Sequence, residues 1–397
     1  MLEQQIKLAN DCVEAQKESL LHMADEIFEH PEIGPHETFA SGLLTDYLEA
    51  HGFTVTRGIA TLPTAFRAVY QHGEGGPNIG LLCEYDALPM GHGCGHHMQG
   101  PAILGAAVAI QQAAGEKPFT LTVYGTPAEE NISGKFIMIQ NGCDFHELDV
   151  ALMMHGGPAT QTDIKSLANT KYTLTYHGKA AHAALKPEAG RSSLDAMCLA
   201  FHAIECLREH VTDDVKIHYN ITDAGGSPAN VVPSLTSADV MIRANTIKGV
   251  QLVMARMEKI FQGAALMTET TVTYEPEKII DNKIPNFHLN DLLMKHAKAL
   301  GAPNCQPPRQ RTGSTDFANV MHRVPGSCIR VAFVAPGAAA HSQEFLDAGK
   351  TEAAHQAVLY GAKILADTVL ELVAKPDELA AIKAEFQERL AKEAQEA

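Results

Sequence analysis

The sequence predicts an α/β protein, a large mixed-sheet domain with helices on both faces and a smaller α+β domain inserted into it. Three observations carry that expectation. Strand-like apolar runs alternate with helical segments in both terminal parts of the chain. The texture changes after Asn169 to strands separated by long helices, and it changes back after Tyr274. At 397 residues the chain also exceeds what one hydrophobic core usually supports.

From Thr38 to His51, Phe39, Leu43, Tyr47 and Leu48 recur at helical spacing, and Gly52 follows as a stop. Strand-like runs come next at Ala65 to Tyr70 and Ile79 to Cys83, then an Ala-rich helix at Gly100 to Ala114 and a strand at Phe119 to Tyr124. A buried strand is expected from Asp149 to Met154, ending at His155. In the inserted part, strands are expected at Lys171 to Tyr176, Lys216 to Thr222, Ala238 to Ala244 and Thr270 to Tyr274, with helices at Ser192 to His210 and Val250 to Gln262. A helix at Asn290 to Leu300, a strand at Ile329 to Val334 and a long helix at Thr351 to Val373 return to the first texture. The tail after Lys375, rich in Ala, Glu and Lys, reads as a solvated helix. The expected domains are 1–169 with 276–397, and 170–275.

Composition narrows the function classes. There are 47 acidic and 31 basic residues, a formal charge of −16, which argues against a nucleic-acid or anionic-membrane surface and favours a small-molecule substrate. Met1 to Lys17 carries no apolar core of a signal peptide, and no apolar run is long enough to span a bilayer, so a soluble cytoplasmic protein is expected. Eight cysteines are scattered, and Cys83, Cys198, Cys206 and Cys328 sit in apolar stretches where buried free thiols are expected.

The polar residues that suggest chemistry gather after strands. Cys83 to Pro89 leads into Gly91-His92-Gly93-Cys94-Gly95-His96-His97 at the end of an apolar strand, where open α/β sheets build their sites. A Cys-Gly-His triplet can turn a thiolate and an imidazole toward one ion, the glycine permitting the tight turn. A glycine loop with incidental histidines is the plain alternative. At the next strand end come Glu129 and Glu130, of which one can hold a metal while the other takes a proton from water. Alone, the pair would simply complement the dipole of a helix opening at Ser133. His155 and His341 stand in two further strand-end loops. Cys94, His96, Glu130, His155 and His341 make five donors, more than one closed tetrahedral site uses, so two divalent ions, zinc or manganese, fit better than one. Arg243, at the end of a strand in the insert, is a candidate bidentate partner for a substrate carboxylate, with an ordinary exposed strand arginine as the plain alternative.

Two rival readings use the same residues. A cysteine hydrolase would take Cys94 as nucleophile with His96 or His155 as base, leaving the glutamate pair without a role. A metal-storage or transfer protein would account for twenty histidines but not for Glu129 beside Glu130.

Taken in order, Glu84-Tyr85-Asp86-Ala87-Leu88-Pro89, His92-Gly93-Cys94-Gly95-His96, Pro127-Ala128-Glu129-Glu130, His155, Gly178-Lys179-Ala180-Ala181-His182-Ala183 and Ala340-His341-Ser342 resemble the aminoacylase and carboxypeptidase type of metal-dependent amidohydrolase. Within it, Gly313-Ser314-Thr315-Asp316-Phe317 resembles most the branch of auxin-conjugate amidohydrolases and aminobenzoyl-glutamate hydrolases with their dipeptidase-like relatives.

The resemblance implies a catalytic domain and a lid that commonly forms a homodimer, and two ions on Cys94, His96, Glu130, His155 and His341. It also implies Glu129 as general base and a substrate that is an N-acyl amino acid, an aminobenzoyl-glutamate-like conjugate or a small dipeptide. Many members open the first motif with His-x-Asp. Glu84 stands at that histidine position here, which makes Asp86 an orienting partner of the site rather than a ligand. In the lid, His182 and Asn230, the latter within Gly225 to Val231, resemble residues of segments that approach the substrate, sometimes from the partner subunit, and the mechanism this implies has His182 stabilise the oxyanion; a buried, hydrogen-bonded histidine and a turn asparagine are the plain alternatives.

Overall fold

The computed structural model describes residues 1–226, 228–310 and 313–395. Among the described residues eleven strands run in chain order as β1 (Thr54–Arg57), β2 (Phe66–His72), β3 (Asn78–Cys83), β4 (Phe119–Gly125), β5 (Val150–Gly157), β6 (Gln161–Thr162), β7 (Ala168–His177), β8 (Lys216–Asp223), β9 (Leu235–Ala244), β10 (Thr271–Ile280) and β11 (Gly326–Ala332). They form a seven-stranded sheet, β1-β2-β4-β3-β5-β11-β6, and a four-stranded sheet, β10-β7-β9-β8. The chain divides accordingly into one compact unit of Met1–Ser166 with Lys283–Glu396, and a second of Leu167–Asn282.

In the first unit, β4, β3, β5 and β11 are parallel neighbours, while β1, β2 and β6 pair antiparallel at the edges. The parallel strands are apolar nearly throughout because both their faces are covered, which is why they read as continuous runs. Helices Gln99–Gln112 and Glu352–Ala374 are buried along most of their length and share the main core with β3, β4 and β5. The C-terminal ends of β3, β4 and β11 carry the loops in which Cys94, His96, Glu130 and His341 lie, and His155 stands near the C-terminal end of β5.

Several expectations change. His155 lies inside β5 rather than at its end, because the ladder with β11 continues through His155↔Arg330 to Gly157↔Ala332. Helices Leu2–Ala15 and Lys17–Glu29 were not legible; the first buries only Ala9 and Val13, too sparse a stripe to stand out. The tail helix Pro376–Gln395 is docked rather than solvated. It buries Leu379, Ile382 and Phe386, and its Glu385 accepts the backbone N–H groups of Phe287 and His288.

The second unit is an antiparallel sheet with the helices Ser193–Leu207 and Ile247–Thr268. Tyr172, Leu174 and Tyr176 of β7 alternate inward with Ala238, Val240 and Ile242 of β9 to form its core. Pairing carries β10 to Ile280, past the expected Tyr274 and across an irregularity at Pro276 that an edge strand tolerates. Cys198 and Cys206 are exposed rather than buried, since Ala196, Met197, Ala200 and Ile204 form the inward stripe of their helix.

Candidate metal centre

The loop after β3 folds back through Gly95, which adopts φ 87° and lets Cys94 and His96 approach the same point. Cys94 Sγ lies 3.7 Å from His155 Nε2 on β5. The loop after β11 is tied to this one by the His341 N–H donating to Gly93 O at 2.8 Å, and His341 Nε2 lies 3.1 Å from Glu130 Oε1. Three overlapping groups result, Cys94/His96/His155, Cys94/Glu130/His341 and His96/Glu129/Glu130, each with one ligand atom per residue and all atoms within 4.8 Å of one another. All five donors expected from the sequence therefore meet, with Glu129 beside them. A thiolate, three imidazoles and a carboxylate suit divalent ions of zinc or manganese type, so the residues present fit the metal pair.

Asp86 does not join the donors; it holds them. Its Oδ1 lies 3.1 Å from His96 Nδ1, and its Oδ2 accepts the Glu130 N–H at 2.9 Å. That leaves His96 Nε2 aimed into the cluster, 3.2 Å from Glu84 Oε2. Burial works against a charged His96, but Cys94 and Glu84 outweigh it and hold its pKa well above the ordinary value. An imidazole pinched between carboxylates on both nitrogens is an environment that demands a cation. Burial, together with Arg330 and His96, keeps His155 neutral, and burial pushes the Cys94 thiol up to about 12.

Glu84, Glu129 and Asp316 also converge. A cation is already built in there. Lys135 Nζ donates to Glu84 Oε1 at 2.6 Å and to Asp316 Oδ1 at 2.8 Å, and its backbone N–H donates to Asp316 Oδ2 at 2.8 Å. Gln99 Nε2 donates to the other oxygen of Glu84 at 2.7 Å. Burial favours a neutral Glu84, yet Lys135 and His96 win and lower its pKa. Among the described residues no lysine or arginine bonds to Glu129, and burial with the charges of Glu84, Asp316 and Glu130 outweighs the opposing charge of His96 and raises its pKa well above the carboxylate range.

The backbone under Glu129 is held from behind. Ala128 takes φ 61°, and its N–H donates to buried Glu37 Oε1 at 2.7 Å. Gly34 packs against this turn so closely that a Cβ there would come within 2.4 Å of Ala128 Cα. A cavity of about 240 Å³ opens over the cluster, lined by Cys94, Glu129, Glu130, His155 and His341, and by the cations Lys283, Arg309 and Arg330.

The remaining expected residues lie in the second unit. His182 and Asn230 are exposed and brought together by the bridge His182↔Val231 and the Ala183 N–H to Asn230 O bond of 2.9 Å. Ser227 of that stretch lies outside the described residues. Arg243 is half-buried on β9, with Nη2 3.3 Å from Met241 Sδ. Lys135, Glu37 and the cations lining the cavity were not singled out from the sequence. A lone lysine before the apolar Phe136 to Ile139, and an arginine inside the apolar strand around Ile329, were the available signals.

Comparison with known proteins agrees. The model of peptidase family M20/M25/M40 matches residues 83–371. The chain is 33% identical to the Xaa-Arg dipeptidase of Mus musculus, covering 97% of this chain and 93% of that one. It is 31% identical to one of the two subunits of the p-aminobenzoyl-glutamate hydrolase of Escherichia coli, covering 92% of this chain and 91% of that one. A crystal structure described as a dinuclear metal binding peptidase from the M20 family, from Bacillus subtilis, superposes with a TM-score of 0.65 at 19% identity, covering 90% of this chain and 99% of that one.

Proposed function

The chain belongs to the peptidase family M20/M25/M40 and is a metal-dependent hydrolase of amide bonds, and from that premise we propose that it cleaves an N-acyl amino acid, an aminobenzoyl-glutamate-like conjugate or a small dipeptide. The observation that carries this reading is the convergence of five metal-type donors with a further glutamate, Glu129, beside them. When bound, two divalent ions on Cys94, His96, Glu130, His155 and His341 supply Lewis-acid polarisation of the carbonyl and acidify water. Glu129 takes the proton from the attacking water and returns it to the leaving amine. Asp86 keeps His96 and the Glu130 backbone in register, and Glu37 fixes the turn that aims Glu129.

Zinc or manganese are the metals the donors suit, a homodimer through the second unit is the assembly proposed, and the cytoplasm is the proposed compartment. No helix among the described residues is long and apolar enough to cross a membrane. The cysteine-hydrolase alternative is disfavoured because a buried thiol with a pKa of about 12 stays protonated and is a poor nucleophile unless an ion ionises it. Acyl transfer to Cys94, or full activity in excess chelator, would restore that alternative.

Glu129→Gln should lower kcat by roughly 10²–10⁴-fold with metal per chain unchanged, read by elemental analysis alongside turnover. Near-parental turnover in that variant removes the general-base role. His182 is proposed to stabilise the oxyanion, so His182→Ala should cost roughly a hundredfold in kcat with both ions retained. Mixing it with Glu129→Gln chains restores activity only if His182 serves the partner's site. A fully active His182→Ala makes this histidine structural.

A further inference from the structure

Beside the donors, three cations surround one carboxylate. Asp163 accepts from Lys283 Nζ at 2.7 Å, from Arg309 Nε at 2.8 Å and from Arg330 Nε at 3.3 Å. Its side chain is 2% exposed, so these bonds take place away from water. Three positive groups against one negative leave a surplus of two charges. A structural ion network normally closes nearer to balance, because every buried charge beyond the paired ones carries a desolvation cost.

The surplus is not turned inward. Lys283, Arg309 and Arg330 all line the cavity over the metal donors. Asp163 engages only Nε and Nη2 of Arg309, and among the described residues Arg309 Nη1 bonds to no protein acceptor. Arg330 Nη1 reaches Gly156 O at 3.2 Å and lies 3.0 Å from His155 Nδ1, which leaves its Nη2 similarly without an acceptor among those residues. Arg309 and Arg330 keep side-chain exposures of 30% and 15%, so both remain within reach of a ligand.

We propose that Lys283, Arg309 and Arg330, locked in place by Asp163, form a subsite that receives a carboxylate of the substrate next to the metal donors. This deepens the amidohydrolase reading and rests on it for the word substrate. It assigns recognition to the first unit, independently of Arg243. Asp163 fixes the guanidinium planes in advance, so little side-chain freedom is lost when the ligand docks. A neutral amide in the same place would leave the surplus charge unmet, which is the condition for strong discrimination.

The test uses the metal-loaded enzyme and its Arg309→Met and Arg309→Lys variants. The probes are aminobenzoyl-glutamate, its γ-amide and its α-amide. In the parent, one amide should raise KM at least tenfold over the diacid, and which amide does so identifies the carboxylate that docks. Arg309→Met should raise KM for the diacid by tenfold or more, with kcat and the KM of the discriminated amide changed less than twofold. Arg309→Lys should recover part of the loss. Equal KM changes for diacid and amide would overturn the proposal, as would discrimination that survives Arg309→Met and disappears in Arg243→Met.

Calorimetry with glutarate and with glutaramide separates this proposal from the hydrolase reading. Glutarate binding that weakens tenfold in Arg309→Met, in a protein that turns over no amide, would uphold the subsite and sink the amidohydrolase. Glutarate binding unchanged by Arg309→Met would sink the subsite whatever the enzyme hydrolyses.

Discussion

Two ion clusters border the same cavity with their charges inverted. In one, a single ammonium, Lys135, is held by two carboxylates, Glu84 and Asp316; in the other, a single carboxylate, Asp163, is held by Lys283, Arg309 and Arg330. The first is sealed, with side-chain exposures of 0%, 3% and 0% for Lys135, Glu84 and Asp316. The second is closed around Asp163 but open at its arginines. The same ion-pair chemistry thus serves two purposes. Where the cation is consumed in a buried cage, the cluster fixes backbone and tunes neighbours, here Glu129 above it. Where guanidinium N–H groups are left over and reach solvent, the cluster can bind something.

The sharpest way to break the contrast is Lys135→Met. It strands two carboxylates with no counter-charge in a buried place, and removing one partner of such a pair costs about 3–5 kcal/mol. Urea unfolding should register that loss, and turnover should fall with it, because Glu129 would then face a larger uncompensated negative charge. Adding Glu84→Gln should recover part of the stability. A Lys135→Met protein as stable as the parent would mean that the acidic cage contributes nothing to the fold.

The basic cluster makes the complementary prediction within itself. Asp163→Asn should cost about 3 kcal/mol, since it leaves three cations facing one another. Arg309→Met should cost under about 1 kcal/mol, because Arg309 is partly in water and its ion pair is screened there. If the two variants unfold at the same urea concentration, Arg309 is a structural partner and the difference drawn between the clusters collapses.

A third buried carboxyl sharpens the comparison further. Glu37 has no cation at all among the described residues; it accepts from Ala128 N–H and from Thr64 Oγ1. Burial then wins and raises its pKa to about 7, whereas the caged Glu84 and Asp163 are lowered. A raised folded-state pKa favours the protonated form, so the stability it contributes is full below about 4.5 and is lost as pH rises through about 7. Glutamine mimics the protonated acid. Glu37→Gln should therefore gain on the parent between pH 5 and 8, by roughly 1–2 kcal/mol in unfolding free energy. Parallel curves for the two proteins across that range would show that Glu37 stays ionised.

What the sequence determined by itself was whatever local order encodes. Strand-like apolar runs located β3, β4, β5 and β11, and the donor-rich loops after or on them named Cys94, His96, Glu130, His155, His341 and Glu129 before any geometry was known. These residues are legible because metal-ligand chemistry uses few residue types and a parallel sheet puts its sites at one end of its strands. The expectation that Asp86 stands behind the donors came from the family resemblance, with Glu84 at the histidine position of His-x-Asp, and Asp86 does contact His96 Nδ1 and the Glu130 N–H. What only the tertiary structure decided was the pairing of charges far apart in the chain: Lys135 with Asp316 across 181 residues, and Asp163 with Lys283, Arg309 and Arg330 across 120, 146 and 167. An ion pair has no period and no preferred spacing. Whether a lysine or arginine becomes a cage, a docking group or a solvated side chain depends on burial and on the charge it meets, and both exist only once the chain has folded.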